Sequence, residues 1–128
     1  MDASALVEYL LRTSRAALVK AVIEAEDNDL HVPALCDVEV TAAFRRALLA
    51  GAVDERRASE AVQDYLDLPL TVHGHRGLLP RIVALRQNIS AYDAAYVALA
   101  ERIGAALLTA DKALRRAVEE HTPLEVLA

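Results

Sequence analysis

Ala106-Leu107-Leu108-Thr109-Ala110-Asp111-Lys112 decides the fold. The run Ala106 to Thr109 is short, unbroken and apolar, as a parallel strand buried on both faces is. It passes through Ala110 to Asp111, which opens an amphipathic helix predicted over Lys112 to Glu119. A buried strand feeding directly into a helix is the repeating unit of an α/β sheet. Working backwards, Ser90 opens a helix that runs to Ile103 and Gly104, and working forwards, Leu124 to Leu127 reads as a last strand. Leu30 to Pro33 and Leu70 to Val72 are two more short strand candidates.

The remaining segments carry helical spacing. Helices are expected over Ser4 to Arg12, from a cap at Ser14 with Leu18, Ala21, Val22 and Ala25 inward, and over Leu35 to Ala50 before Gly51. Two more are expected over Glu55 to Leu68, capped by Asp54, and over Leu78 to Gln87, closed by Asn88. Short apolar strands alternating with such helices predict an α/β fold on a mostly parallel sheet, with ligands at the carboxyl ends of the strands. With 128 residues and no linker or repeat, one domain over 1–128 is expected.

The net charge is −5, which argues against binding nucleic acid through a broadly basic surface. Polyanions must be met by a local basic patch or through cations. The single cysteine, Cys36, excludes an internal disulfide and a sulfur-rich metal site, and its place beside Val40 predicts a packed core thiol. No stretch is long enough to cross a membrane, since the longest apolar run, Ala94 to Ala100, is bounded by Asp93 and Glu101. The N-terminus shows no basic segment followed by an apolar run, so a cytoplasmic protein is expected.

Four acids stand out. Glu39 sits inside a helix between Leu35 and Cys36 on one side and Ala42 and Ala43 on the other, an apolar face that no carboxylate enters without a partner or a cation. Asp93 shares a face with Tyr96 and Val97. Asp2 precedes the first helix, and Asp111 follows the Ala106–Thr109 strand. Asp2, Asp93 and Asp111 are also good helix-cap residues, Ser90-x-x-Asp93 fitting a capping box, so for these three a cap and a site both remain open. If the four converge, their mutual repulsion calls for cations, and an all-oxygen donor set suits Mg²⁺ or Mn²⁺ better than Zn²⁺. An acidic, cation-filled cleft suits phosphodiester hydrolysis.

These same residues carry a resemblance. Asp2-Ala3-Ser4, Val38-Glu39-Val40, Ser90-Ala91-Tyr92-Asp93-Ala94-Ala95-Tyr96 and Leu107-Leu108-Thr109-Ala110-Asp111-Lys112 resemble the PIN-domain ribonucleases, and within them the VapC-type toxins of bacterial toxin–antitoxin pairs. The resemblance implies a three-layer α/β/α sandwich and a Mg²⁺- or Mn²⁺-dependent endoribonuclease. It implies Asp2, Glu39, Asp93 and Asp111 as catalytic and metal-binding acids, and Thr109 and Ser4 as hydroxyls that orient them. It also implies a homodimer, a VapB-like antitoxin that places a basic residue in the cleft, and an RNA substrate. Only Met1 precedes Asp2, where such proteins carry an apolar strand: either the true start lies upstream, or the chain is renumbered or trimmed, or that strand is absent, and its absence would leave Asp2 on a fraying terminus.

The basic pairs Arg45-Arg46, Arg56-Arg57 and Arg115-Arg116, with Lys112, could all hold RNA phosphates; Lys112, Arg115 and Arg116 follow Asp111 and are the expected contacts, whereas Arg45-Arg46 and Arg56-Arg57 read more readily as solvated faces. His73-Gly74-His75 reads as a polar turn, Tyr96 as core, and the two Leu- and Val-rich N-terminal helices as the dimer or antitoxin surface. Two rivals remain: a non-catalytic PIN-like binding module, which divalent cations would not stabilise, and a DNA nuclease of related fold, which would prefer DNA over RNA.

Overall fold

Two short parallel ladders form the centre of the protein, and the first two residues of the chain join them. The computed structural model describes residues 1–127. Strands β1 (Leu30–Pro33) and β2 (Leu70–His73) pair in parallel, with Leu30 opposite Leu70 and Pro33 opposite His73. Strands β3 (Leu107–Leu108) and β4 (Val126–Leu127) do the same, Leu107 opposite Val126. The Met1 ammonium donates to the His31 carbonyl at 3.2 Å, and the Asp2 N–H donates to the Leu108 carbonyl at 2.9 Å. Successive backbone nitrogens thus reach opposite ways, one to β1 and the next to β3. Asp2 is therefore held rather than frayed, and is only 4% exposed. Whatever precedes Met1, these two bonds keep Asp2 from the fraying that an absent first strand would bring.

The helices are α1 (Ala3–Leu10), α2 (Ala16–Glu24), α3 (Leu35–Leu49), α4 (Glu55–Asp67), α5 (Leu79–Ala84), α6 (Ala91–Ile103) and α7 (Lys112–His121), with a 3₁₀ turn at Arg76–Leu78. The class is α/β, as the alternating pattern predicts. α1 packs on α2 and α3, α3 on α4, α5 on α6, α6 on β1 and β3, and α7 on β4. Leu6, Val40, Val97, Leu107 and Val118 meet in one core with essentially no exposure. Each such side chain contributes about 1.5–3 kcal/mol through removal from water. In α6 every residue from Ala94 to Ala100 is buried, its alanines letting neighbours approach on all sides.

The start of α2, its inward face and the end of α5 differ from the sequence expectation. α2 begins after Arg15 with no side-chain cap, so Ser14 does not cap it. Its inward residues are Val19 and Ile23, whereas Leu18 is exposed, because the side on which α1 lies selects one of two adjacent apolar stripes. α5 stops at Ala84: from there Arg86 N–H bonds Val83 and Asn88 N–H bonds Leu85, tighter turns that tuck Leu85 and Ile89 into the core. The two histidines of His73-Gly74-His75 are also more than a polar turn. His73 ends β2 with its Nε2 2.9 Å from His31 Nδ1, and His75 Nε2 accepts from Leu35 N–H at the start of α3.

Candidate active site

Asp2 is the best-anchored acid of the protein. Its Oδ1 accepts from Ala5 N–H at 3.1 Å, capping α1, and from Ser4 Oγ at 2.7 Å, while Oδ2 accepts from Thr109 Oγ1 at 2.5 Å. The two hydroxyls accept in turn from the loop that leads to α7: Ser4 Oγ from Ala110 N–H at 3.1 Å, and Thr109 Oγ1 from Asp111 N–H at 3.0 Å. Each hydroxyl has one proton to give, and both are given to Asp2. The orientation of the Asp2 carboxylate and the path of the Thr109–Asp111 loop are consequently one hydrogen-bonded unit.

Asp111 caps α7, its Oδ1 accepting from Ala113 N–H at 2.9 Å and Leu114 N–H at 3.1 Å, and its side chain stays exposed. Ser90 caps α6 by accepting from Asp93 N–H at 3.2 Å, which leaves the Asp93 carboxylate half-buried. Glu39, half-buried on α3, accepts from the buried Tyr96 hydroxyl on α6 at 2.6 Å. Cap and site are therefore not alternatives here. The N-termini of α1 and α7 use their first carboxylates as caps while facing the same opening.

That opening is a cleft of about 430 Å³ lined by Asp2, Ser4, Glu39, Asp93, Tyr96 and Asp111, and also by Glu8 and Arg46. The four acids singled out from sequence line it together. Thr109 stands behind Asp2, while Lys112, Arg115 and Arg116 do not line the cleft, and Arg115 pairs instead with Glu119 at 3.0 Å. Glu8 is not marked by the sequence, and Arg46 is weighed there only as half of a basic pair more readily read as a solvated face. The signal for Arg46 is its spacing, since Glu39, Ala42, Ala43 and Arg46 recur at i, i+3, i+4 and i+7 on α3. A more apolar cavity of about 190 Å³ lies on the other side of Met1 and holds none of the four acids.

The electrostatics follow from crowding. Burial raises the Asp93 pKa above the ordinary carboxylate value, the charges of Asp111, Asp2 and Glu39 raise it further, and the Ser90 hydrogen bond opposes them. Burial also raises Asp2, against the lowering effect of Thr109, Ser4 and the Ala5 N–H. A cleft whose carboxylates disfavour one another's charge is poised for a cation. Among the described residues no three His, Cys, Asp or Glu side chains close on one point. The donor set nevertheless fits a hard ion such as Mg²⁺, which keeps several waters and needs only one or two carboxylates beside its substrate phosphate.

Tyr96, which the sequence pattern places in the core, also reaches a cleft acid. It is 3% exposed, with its hydroxyl on Glu39 and its own ionisation strongly disfavoured by burial. Cys36 is buried and its thiol is pushed up by burial, which makes it an inert core group.

The PIN domain family profile matches residues 1–120. The chain belongs to the PIN-domain family. This PIN domain is 41% identical over 130 residues to VapC ribonuclease Mb0985 of Mycobacterium bovis, covering 99% of this chain and 96% of that one. It is equally similar, at 41%, to ribonuclease VapC9 of Mycobacterium tuberculosis, and is 34% identical over 128 residues to ribonuclease VapC12 of the same species, covering 100% of this chain and 98% of the relative. Among the described residues of the PIN domain no helix is long and apolar enough to cross a membrane.

Proposed function

We propose that this PIN domain, taken as one domain over 1–128, is a Mg²⁺- or Mn²⁺-dependent endoribonuclease and the toxin of a toxin–antitoxin pair. The observation that carries the reading is the shared cleft of Asp2, Glu39, Asp93 and Asp111. The relatives named VapC ribonuclease support the RNA substrate and the toxin role.

Asp2, Glu39, Asp93 and Asp111 are assigned as the acids that hold the ions. Ser4 and Thr109 fix the Asp2 carboxylate from both sides, and Tyr96 fixes Glu39. Bound divalent ions supply an activated water and stabilisation of the leaving oxygen of a phosphodiester. Asp93, its proton affinity raised by burial and by its acidic neighbours, and Asp2, raised by burial, are acids whose charged forms such ions would favour. Lys112, Arg115 and Arg116 are assigned to the RNA backbone beyond the cleft, the partner is a VapB-like antitoxin, and the working unit is a cytoplasmic homodimer.

The test is cleavage of matched RNA and DNA oligonucleotides with Mg²⁺ or Mn²⁺, by the parent chain and by Asp93→Asn and Asp111→Asn. RNA is expected to be cut by the parent and left whole by both variants, with unchanged circular dichroism. Full activity in either variant removes the site assignment. Preferential DNA cleavage, or a melting temperature indifferent to millimolar divalent ions, removes the metal-dependent ribonuclease reading.

A further inference from the structure

α3 carries Glu39 into the cleft, and the same face continues through Ala42 and Ala43 to Arg46, all four lining it. Arg46 is the one basic side chain among the described residues of that lining. On a helix, side chains lean towards the N-terminus, so the Arg46 stem reaches back over the Ala42–Ala43 turn towards Glu39. Two alanines leave that path open. Seven residues separate the two positions, about 10 Å along the helix axis.

An arginine facing Asp2, Glu8, Glu39, Asp93 and Asp111 has every electrostatic reason to close on one of them. It does not. The ion pairs among the described residues are made by Arg56, Arg57, Arg81, Arg115 and His121. A residue whose work was to neutralise the acids would sit against one of them, as Arg81 sits against Glu101 at 3.1 Å. Arg46 is exposed and lines the cleft, yet its five donors make no ion pair with any carboxylate among the described residues.

We infer that Arg46 is a substrate-binding residue that grips a phosphate of the RNA strand next to the phosphodiester lying over the carboxylates. The planar guanidinium fork matches two non-bridging phosphate oxygens, a match that a lysine ammonium does not reproduce. Arg46 thereby gives an acidic cleft one fixed attraction for a polyanion that does not depend on bound ions. The inference rests on the ribonuclease reading above and deepens it. It also turns Arg46 from the solvated face expected in sequence into part of the substrate path.

The experiment measures binding of a fluorescent single-stranded oligoribonucleotide by anisotropy over a salt series, with Asp93→Asn carried in every chain to keep the strand whole. Arg46→Gln is expected to weaken binding about ten-fold and to flatten the slope of log K against log salt by about 0.7, the value of one phosphate contact on a single strand. Arg46→Lys is expected to restore the slope while recovering only part of the affinity. In chains with Asp93 intact, Arg46→Gln raises KM more than it lowers kcat, and calorimetric Mn²⁺ affinity does not weaken. Unchanged affinity and slope in Arg46→Gln, with the parent chain still cutting RNA, overturns this inference alone. Failure of Arg46→Lys to restore the slope also overturns it, by showing a local structural effect. A parent chain that neither binds nor cuts RNA overturns the function proposed above and this inference with it.

Discussion

The starts of α1 and α4 are nearly the same piece of local structure. Asp2 caps one with φ −92° and ψ 169°, and Asp54 caps the other with φ −91° and ψ 172°. Both accept from the N–H three residues on, Asp2 from Ala5 at 3.1 Å and Asp54 from Arg57 at 2.8 Å. Asp54 has solvent around it. Asp2 has the Ser4 and Thr109 hydroxyls, β3 behind it, and three further acids across a cleft. Apart from the neighbouring Ser4 hydroxyl, the difference lies in what distant parts of the chain bring to the same cap. A helix-capping carboxylate comes to line the acidic cleft here through its surroundings, at no cost to its structural duty.

Substitution should separate the two most sharply in cleavage. Asp2→Asn keeps a cap oxygen for Ala5 and removes the charge, and RNA cleavage is expected to fall at least about 100-fold. Asp54→Asn should leave cleavage as it was. Equal losses in the two variants would break the comparison. Stability in divalent ions comes next. Mg²⁺ or Mn²⁺ at a hundred times its dissociation constant should add about 2.7 kcal/mol to the parent and to Asp54→Asn, and much less to Asp2→Asn, in thermal or urea melts. Removing the cap altogether is a smaller effect. Asp54→Ala should cost about 1 kcal/mol in urea melts while cleavage stays unchanged.

The last contrast is in pH and concerns the protein held in chelator. The folded pKa values of Asp93 and Asp2 lie above the ordinary 3.8, so above pH 3.8 the folded state holds more protons at these sites than the unfolded one. Their contribution to stability therefore declines as pH rises from 3.8 through the folded values, and it is greatest at the acid end. The difference in urea stability between the parent and Asp93→Asn, followed over a pH series, should show this decline and lose it on addition of Mg²⁺. A difference that grows in the parent's favour with pH would contradict the crowding of the cleft.

Much of this is legible in the amino-acid sequence. The strand–Asp111–helix junction, the Asp54 and Ser90 caps, and Gly104 in the left-handed conformation at φ 67° are local events, decided within a few residues. Glu39 announces itself because a carboxylate in an apolar stripe conflicts with its own neighbours. Asp2 shows no such conflict, because its anchoring depends on β1 and β3, and on Thr109 at the far end of the chain. The stripe of α2 is displaced by one position from its expected place because two adjacent faces are apolar and only α1 chooses between them. Arg46 is hidden because a basic pair on a helix looks like solvated surface until the cleft in front of it is known.

α6 carries Asp93 in its first turn, and its stretch from Ala94 to Ala100 then runs through the interior with every residue buried. Its amides can exchange with deuterium only when the whole molecule opens, so their exchange rates report the global equilibrium rather than local breathing. Any ligand that engages the Asp93 end must slow exchange at Leu99 and Ala100, well beyond its reach, by the same factor as at Val97. That one rod of small residues makes cleft occupancy readable by mass spectrometry at peptides that never touch the cleft.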